Sequence, residues 1–141
     1  MKVIIAGSRH LDRYDFVSQA MSTFCARPGL RDSGHFVVVD EVVSGHCKGP
    51  DLMGERWAEL HQVPVRVFPA AWNKHGRAAG PIRNREMAAY ADALVLIWDG
   101  VSRGSANMLK EATARNLEVF VWIVDVAGRG HHRTADEEVG R

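Results

Sequence analysis

Three loops in this chain combine glycine and serine with a basic side chain, a combination that suits the binding of an anionic group. Each loop follows an apolar run and precedes a segment with helical spacing: Gly7-Ser8-Arg9, residues 44–51 and residues 99–105. Glycine lets a ligand approach the backbone closely, and free N–H groups at the start of a helix favour an anion. Turn geometry alone often explains one such loop, but three loops that each carry a cation predict a phosphate-binding rim.

These loops supply most of the residues that we expect to contact a ligand: Gly7, Ser8, Arg9, Ser44, Gly45, Lys48, Gly49, Asp51, Asp99, Ser102, Gly104 and Ser105. The first loop is expected to hold phosphate or ribose, with the second loop beside it and the third across from it. Asp51 and Asp99 either accept hydrogen bonds from ribose hydroxyls or cap the starts of helices, and the sequence leaves both roles open.

The stretch 68–87 contains a second group of candidate residues. Gly80-Pro81 predicts a turn and a helix start, which puts Arg83 and Asn84 within about one turn of the helix N-terminus. A cation there opposes the helix dipole, so helix stability does not explain it. We expect Arg83 and Asn84 to hold phosphate or ribose; the alternative is a solvated surface or a salt bridge. Trp72 either stacks on a base or belongs to a satellite core.

Other kinds of chemistry have little support in the sequence. The chain has no Walker A sequence and no strict G-x-G-x-x-G, so ordinary NTPase or dinucleotide-dehydrogenase chemistry is not expected. Its seven histidines and two cysteines lack metal-ligand spacing, and we expect no metal and no cofactor. Cys47 lies beside Lys48 near a predicted helix start, which favours a reactive thiol, but no histidine base can be assigned to it.

A parallel sheet is the scaffold that would bring these loops together. Apolar and β-branched runs predict five strands, at residues 2–6, 36–44, 63–68, 93–98 and 118–124. Helical spacing predicts helices from an N-cap at Asp12 to about residue 27, and at 50–60, 81–90 and 104–116. Strands that alternate with helices indicate an α/β fold with helices on both faces of the sheet. Ligands bind such sheets at the carboxyl ends of the strands, at a topological switch point.

Composition and charge indicate one globular domain. The 141 residues are 46% hydrophobic and 25% charged, and we predict a domain at 1–126 and a flexible polar tail at 127–141. The net charge of +1 gives no support for non-specific nucleic-acid binding. No apolar run is long enough for a membrane span, and the N-terminus does not resemble a signal peptide. Two cysteines cannot form a disulfide framework, so we expect a cytoplasmic protein.

Four sequence blocks carry a resemblance to a known protein family. They are GSR (7–9), SGHCKGPDLMGERWA (44–58), FPAAWNKHGRAAGPIRNREM (68–87) and YADALVLIWDGVSRGS (90–105). In order and spacing they resemble the YspA/YpsA-related branch of the SLOG superfamily, and the resemblance covers about residues 1–124. It implies a Rossmann-like three-layer sandwich with a five-stranded parallel sheet in the order 3-2-1-4-5. It also implies a nucleotide or a nucleotide-derived small molecule as the ligand.

The chain departs from the family pattern at two places. The second loop of the family usually reads SGG-[small]-[KR]-G-A-D, whereas His46, Cys47 and Pro50 stand here in place of Gly, the small residue and Ala. The resemblance also implies relatives in the same superfamily, which include phosphoribohydrolases and DNA-processing protein A. In the phosphoribohydrolases the motif PGG-x-GT-x-x-E ends in a glutamate important for hydrolysis. Aligning Gly104-Ser105 with GT puts Met108 at that position, with Glu111 one turn later.

We therefore predict binding or sensing of a nucleotide-derived small molecule. The first alternative is hydrolysis of the N-glycosidic bond of a nucleoside monophosphate, for which only Glu111, Asp51 or Asp99 could supply the carboxylate. The second alternative is a single-stranded DNA-binding module, which the neutral charge balance disfavours. A homodimer or higher homo-oligomer is expected because amphipathic helices carrying Met53, Trp57 and Met108 would leave an apolar face uncovered.

Overall fold

The computed structural model describes residues 1–27 and 37–133, and within them one mixed sheet of six strands. The strands are β1 (Lys2–Gly7), β2 (Glu41–Ser44), β3 (Val65–Val67), β4 (Ala93–Trp98), β5 (Glu118–Val124) and β6 (Gly130–His132). Their order across the sheet is β3-β2-β1-β4-β5-β6. The first five strands run parallel, and β6 pairs antiparallel with β5. The predicted α/β class and the order 3-2-1-4-5 are thus confirmed, with one strand added.

Helices cover both faces of this sheet. They are α1 (Tyr14–Cys25), α2 (Pro50–Leu60), α3 (Trp72–His75), a 3₁₀ turn (Gly76–Ala78), α4 (Ala79–Tyr90) and α5 (Arg103–Ala114). Buried side chains of α1 and α2 pack with Val3 and Ile5 on one face, and those of α4 and α5 pack with Ile4 and Leu94 on the other. The two apolar cores account for the continuous apolar sequences of β1 and β4, because a strand covered on both faces has no solvated side.

The sixth strand lies in the segment that was predicted to be a flexible tail. Residues 130–132 pair with β5, and the ring of His132 stacks on that of Phe120 with a centroid distance of 4.2 Å. Three residues, two of them histidines, are too short and too polar to give a periodic signal in the sequence. The rest of the predicted tail, residues 134–141, lies outside the described part of the chain.

Several predicted element boundaries were wrong. Asp12 does not cap α1: the helix begins at Tyr14 with Arg13 in the N-cap position and no side-chain cap. Pro81 does not open α4, which begins two residues earlier at Ala79. The second strand is confined to Glu41–Ser44, although the β-branched run starts before it. Residue 36, where that run was predicted to start, lies outside the described residues.

The side chains that motivated the expected oligomer lie within the monomer. Trp57 is 7% exposed and Met108 is 2% exposed, each in one of the two apolar cores, and Met53 packs partly buried against the first. They therefore do not form a leftover apolar face. The oligomeric state stays a prediction.

None of the helices in residues 1–27 and 37–133 is long and apolar enough to cross a membrane.

Candidate functional site

A cleft of about 500 Å³ lies at the carboxyl end of the sheet, next to the switch point between β1 and β4. The loop after β1, the loop after β2, the segment from α3 to α4, and the first turns of α5 all contribute to its walls. Nine of the fourteen predicted site residues line it: Gly7, Ser8, Arg9, Asp51, Arg83, Asn84, Ser102, Gly104 and Ser105. A volume of this size is typical of small-molecule sites.

Gly7 lies at the cleft floor, at a position where no larger residue fits. A Cβ atom on Gly7 would lie 2.0 Å from the carbonyl oxygen of Ile97 and 2.7 Å from Cγ of Pro50. The absence of a side chain lets β1 approach β4 and the start of α2 at the same point.

Ser8 connects the three segments that meet at the floor. Its backbone N–H donates to the carbonyl of Ile97 at 3.0 Å, and its Oγ accepts the N–H of Asp99 at 3.2 Å. The same Oγ lies 3.5 Å from Oγ of Ser105 in the first turn of α5. Ser8 is 2% exposed, so its hydroxyl fixes the loop after β1 against α5.

Arg83 and Asn84 are buried, which excludes the solvated-surface alternative. Arg83 is 9% exposed; its Nη1 donates to the carbonyl of Gly45 at 2.8 Å and its Nε donates to Oδ1 of Asn84 at 3.0 Å. Asn84 in turn donates from Nδ2 to Oδ1 of Asn107 at 2.8 Å. These bonds connect α4 to the second loop and to α5. In the described part of the chain, Arg83 makes no ion pair with either Asp51 or Asp99.

Asp51 is a carboxyl group buried in the wall of the cleft. It is 5% exposed, and its Oδ2 accepts the N–H of Cys47 at 3.2 Å. Burial raises the pKa of Asp51 to about 6, although the Cys47 amide and the positive charges of Arg83 and Arg9 act in the opposite direction. The negative charge of Glu55 adds to the upward shift. Near neutral pH the site therefore holds a carboxylate that its surroundings only partly compensate.

Asp99 does not line the cleft, and its carboxylate is used within its own turn. Its Oδ1 accepts the N–H groups of Val101 and Ser102, both at 2.8 Å, and its Oδ2 accepts the hydroxyl of Ser102 at 2.6 Å. Partial burial opposes ionisation, but these bonds, together with His10 at 3.5 Å, outweigh it and lower the pKa of Asp99 to about 2. Of the two roles left open for Asp99, the structure supports the capping of the turn before α5.

The second loop supports the cleft rather than lining it at most of the predicted positions. The Ser44 hydroxyl, fully buried, donates to Oε2 of Glu55 at 2.7 Å. Lys48 is 75% exposed and lies 3.9 Å from Asp12. Gly49 has a φ of 99° and abuts the backbone of Arg9. Four of the predicted residues are thus absent from the lining: Ser44, Gly45, Lys48 and Gly49.

The cleft is more positively charged than the chain as a whole. Arg9, Arg77, Arg83 and Arg103 line it, and Asp51 is the one carboxylate among the described lining residues. Because the full chain carries a net charge of only +1, the basic character is concentrated at this edge. We call this cleft, with its four arginines, the arginine-lined cleft.

Sequence reasoning missed Arg77 as a site residue and left the place of Trp72 undecided. Both belong to the connection between β3 and α4, which has no clear periodicity in the sequence. Trp72 is 47% exposed and lines the cleft, so it is not a satellite core residue. A Cβ on Gly80 would lie 3.5 Å from its Cη2 atom, so the start of α4 packs beneath the indole. Because the segment lacks periodicity, the sequence held no local signal that would have placed Arg77 in the cleft.

The three carboxylates considered for hydrolysis are not equivalent in the structure. Glu111 does not line the cleft; it pairs with Arg115 at 2.9 Å and lies 3.9 Å from Arg85. Met108 lines the cleft in its place. Asp99 is occupied by its turn, which leaves Asp51 as the carboxylate that faces the cleft. Among the described residues, no group of three or more His, Cys, Asp or Glu side chains could hold a metal ion.

Comparison with known proteins gives two matches to this chain. The model of the YspA, cpYpsA-related SLOG family matches residues 1–75, which include the first two loops of the cleft and end before Arg83. The Gene 61 protein of Mycobacterium phage D29 is 34% identical over 85 residues, which cover 56% of this chain and 68% of that protein. No solved structure matches the chain significantly. With more than half of its residues matched by the family model, the chain belongs to the YspA, cpYpsA-related SLOG family, whose Rossmann-like fold suggests a nucleotide-related function.

Proposed function

We propose that this protein binds a nucleotide or a nucleotide-derived small molecule in the arginine-lined cleft. The observation that carries the proposal is the convergence of four arginines on one small cleft at the switch point of the sheet. Guanidinium groups are always charged and match the geometry of phosphate oxygens, so such a cluster favours a ligand with one or more phosphates.

The N-terminus of α5 supports the same ligand class. Ser102 is the N-cap residue but makes no side-chain capping bond, and no acidic residue lies in the first turn of the helix. The N–H groups of this turn therefore receive no side-chain capping bond, and Gly104 and Ser105 lie at the cleft wall. A phosphate at this position gains both hydrogen bonds and the favourable end of the helix dipole.

Trp72 gives the cleft a surface suited to the base. Its half-exposed indole borders the cleft together with Arg77. A nucleobase stacked on an indole gains about 1–3 kcal/mol. A cluster of arginines and an exposed indole in the same cleft suit a molecule with an anionic end and a planar end.

Hydrolysis of an N-glycosidic bond remains the second candidate because of Asp51. A buried carboxyl group with a pKa near 6 is suited to donating a proton to a leaving base. Binding without turnover is favoured because Met108, rather than a second acidic group, lines the cleft where the related hydrolases have a glutamate. Release of free base from nucleoside monophosphates distinguishes the two candidates.

Titration calorimetry of the purified protein with AMP, ADP, ADP-ribose and their guanine counterparts tests the proposal. We expect saturable binding of at least one compound, and a loss of about tenfold or more in affinity on Arg103→Ala. Arg129→Ala removes the same charge from the turn between β5 and β6, outside the cleft, and should leave the affinity unchanged. Equal losses in both variants would mean that overall charge, rather than the cleft, attracts these compounds.

A further inference from the structure

Two buried groups of opposite charge share the wall of the cleft without pairing with each other. Asp51 is 5% exposed and Arg83 is 9% exposed, and both line the cleft. A Cβ on Gly45 would lie 2.4 Å from Nη1 of Arg83 and 2.8 Å from Oδ2 of Asp51, so the two side chains approach the same point from different elements. No ion pair joins them in the described part of the chain.

Each of the two groups keeps one polar atom without a partner. Cys47 donates to Oδ2 of Asp51, which leaves Oδ1 unused among the described residues. The Nη1 atom of Arg83 donates to the Gly45 carbonyl and to Sγ of Cys47, and its Nε donates to Asn84. The Nη2 atom of Arg83 has no acceptor among the described residues. Neither atom is among the fully buried side-chain atoms that lack a partner in the described residues, so both keep some contact with solvent. A ligand in the cleft is in a position to supply a partner to both.

We propose that Asp51 and Arg83 bind the adjacent hydroxyl groups of a ribose, and that the cleft therefore selects ribonucleotides over deoxyribonucleotides. This inference rests on the proposed function, which it makes more specific.

The chemistry of the two side chains favours hydroxyl groups over other ligand groups. A carboxylate only accepts hydrogen bonds and a guanidinium only donates them, so their common partner must do both. A phosphate would be repelled by Asp51, and an ammonium group would be repelled by Arg83. Adjacent hydroxyls offer a donor to the carboxylate and an acceptor to the guanidinium. The pKa of Asp51, raised to about 6 chiefly by burial, agrees with a carboxylate whose hydrogen-bond donor in the unliganded protein is the Cys47 amide alone among the described residues.

The position of Asp51 favours the sugar over the edge of a nucleobase, which also carries donors and acceptors. Asp51 is the second residue of α2, directly after Pro50, whose ring packs at the floor beside Gly7. Arg9 is near enough to lower the pKa of Asp51. The phosphate-binding floor is thus adjacent to Asp51, and in a nucleoside 5′-phosphate the sugar is the group next to the phosphate.

Matched nucleotide pairs test the inference by calorimetry on the full chain. AMP, ADP and GMP are each compared with their 2′-deoxy and 3′-deoxy forms. We expect the wild-type protein to bind either deoxy form at least about tenfold more weakly, because the missing hydroxyl leaves a polar atom of a largely buried side chain unpaired in the complex. In Asp51→Asn the preference for the ribo form should fall to about threefold or less, since an amide is a weaker acceptor than a carboxylate. Asp125→Asn removes the same charge in the turn after β5 and should keep the full preference.

The outcomes of this experiment distinguish failure of the ribose inference from failure of the proposed function. Tight binding of ribo and deoxy forms with equal affinity by the wild-type protein overturns the inference and leaves the proposed function standing. Failure of every nucleotide to bind overturns the proposed function and the inference with it. A ribo preference that survives Asp51→Asn overturns the assignment to Asp51. The comparison of 2′-deoxy and 3′-deoxy forms needs only the wild-type protein, so it decides the sugar preference even if the variant does not fold.

Discussion

The guanidinium of Arg83 occupies the space that a side chain at Gly45 would need. A Cβ at that position would lie 2.4 Å from Nη1, and the same nitrogen donates to the Gly45 carbonyl at 2.8 Å. The loop after β2 and the helix α4 therefore position each other through one glycine and one arginine, which are 38 residues apart in the sequence. Gly45 thus acts on the cleft through Arg83 and not through a contact of its own.

Gly45→Ala is expected to displace Arg83 and to weaken ligand binding. The substitution should lower the free energy of unfolding by about 1–3 kcal/mol, since it breaks a buried charged hydrogen bond and overpacks the loop. Nucleotide affinity should fall about tenfold or more if Arg83 loses its position. Urea unfolding and calorimetry measure the two effects.

Gly104→Ala is the matched control for stability. Nothing lies within 4 Å of a Cβ at Gly104, and this residue is helical, so alanine should raise stability by about 0.5–1 kcal/mol. A Gly45→Ala protein as stable as wild type, with unchanged affinity, would show that Arg83 can move without consequence.

Asp51→Asn should stabilise the unliganded protein at neutral pH. The pKa of Asp51 is about 6 in the folded chain against an ordinary value of 3.8, so the folded state binds the proton more tightly than the unfolded state. The resulting stability is fully present below about pH 3.8 and is lost as the pH rises through about 6. The variant should therefore gain up to roughly 3 kcal/mol over wild type between pH 4 and pH 7.5.

Urea unfolding of both proteins at pH 4 and pH 7.5 measures this gain. A difference between variant and wild type that is the same at both pH values would contradict a buried, uncompensated carboxylate at this site.

Asp99→Asn should have the opposite pH dependence. The pKa of Asp99 is lowered to about 2, so its stabilisation is present above about pH 3.8 and is lost as the pH falls through about 2. The variant should lose roughly 1–2 kcal/mol at pH 7 and less at pH 2.5. Thermal unfolding followed by circular dichroism at the two pH values measures the loss. Stability equal to wild type at pH 7 would show that the turn before α5 does not depend on the carboxylate.

The central part of the fold could be predicted from the sequence because its signals are local. Continuous apolar runs identify β1 and β4, and Gly-Ser loops after strands identify the edge where the cleft lies. The remaining features depend on contacts between distant residues. Lys48 and Asp51 lie in the same loop region, yet Lys48 points to solvent and Asp51 is buried. Asp51 and Asp99 had the same predicted roles, and only their burial and hydrogen bonds distinguish a carboxylate in the cleft from one that caps a turn.

Arg9→Ala should weaken binding without destabilising the unliganded protein. Arg9 is exposed at the cleft and makes no hydrogen bond or ion pair with its side chain in residues 1–27 and 37–133. If its guanidinium holds a ligand phosphate, the substitution should cost roughly 1.5–3 kcal/mol of binding, or about 10- to 150-fold in affinity. Melting temperature without ligand and the dissociation constant are measured together.

Arg56→Ala removes another exposed guanidinium, which lies over Tyr14 outside the cleft, and is the charge control for Arg9. It should leave the affinity unchanged. A clear drop in the melting temperature of Arg9→Ala, with affinity unchanged, would assign Arg9 a structural role instead.

A nuclear magnetic resonance titration of the ¹⁵N-labelled protein with the nucleotide panel tests the central claim most directly, because it reports binding and its location together. Binding in the arginine-lined cleft predicts that the amide signals of Gly7, Ser8, Gly104 and Ser105 shift first and saturate together. Absence of any saturable shift, or shifts confined to the amino-terminal edge of the sheet around Asp92, would contradict the account.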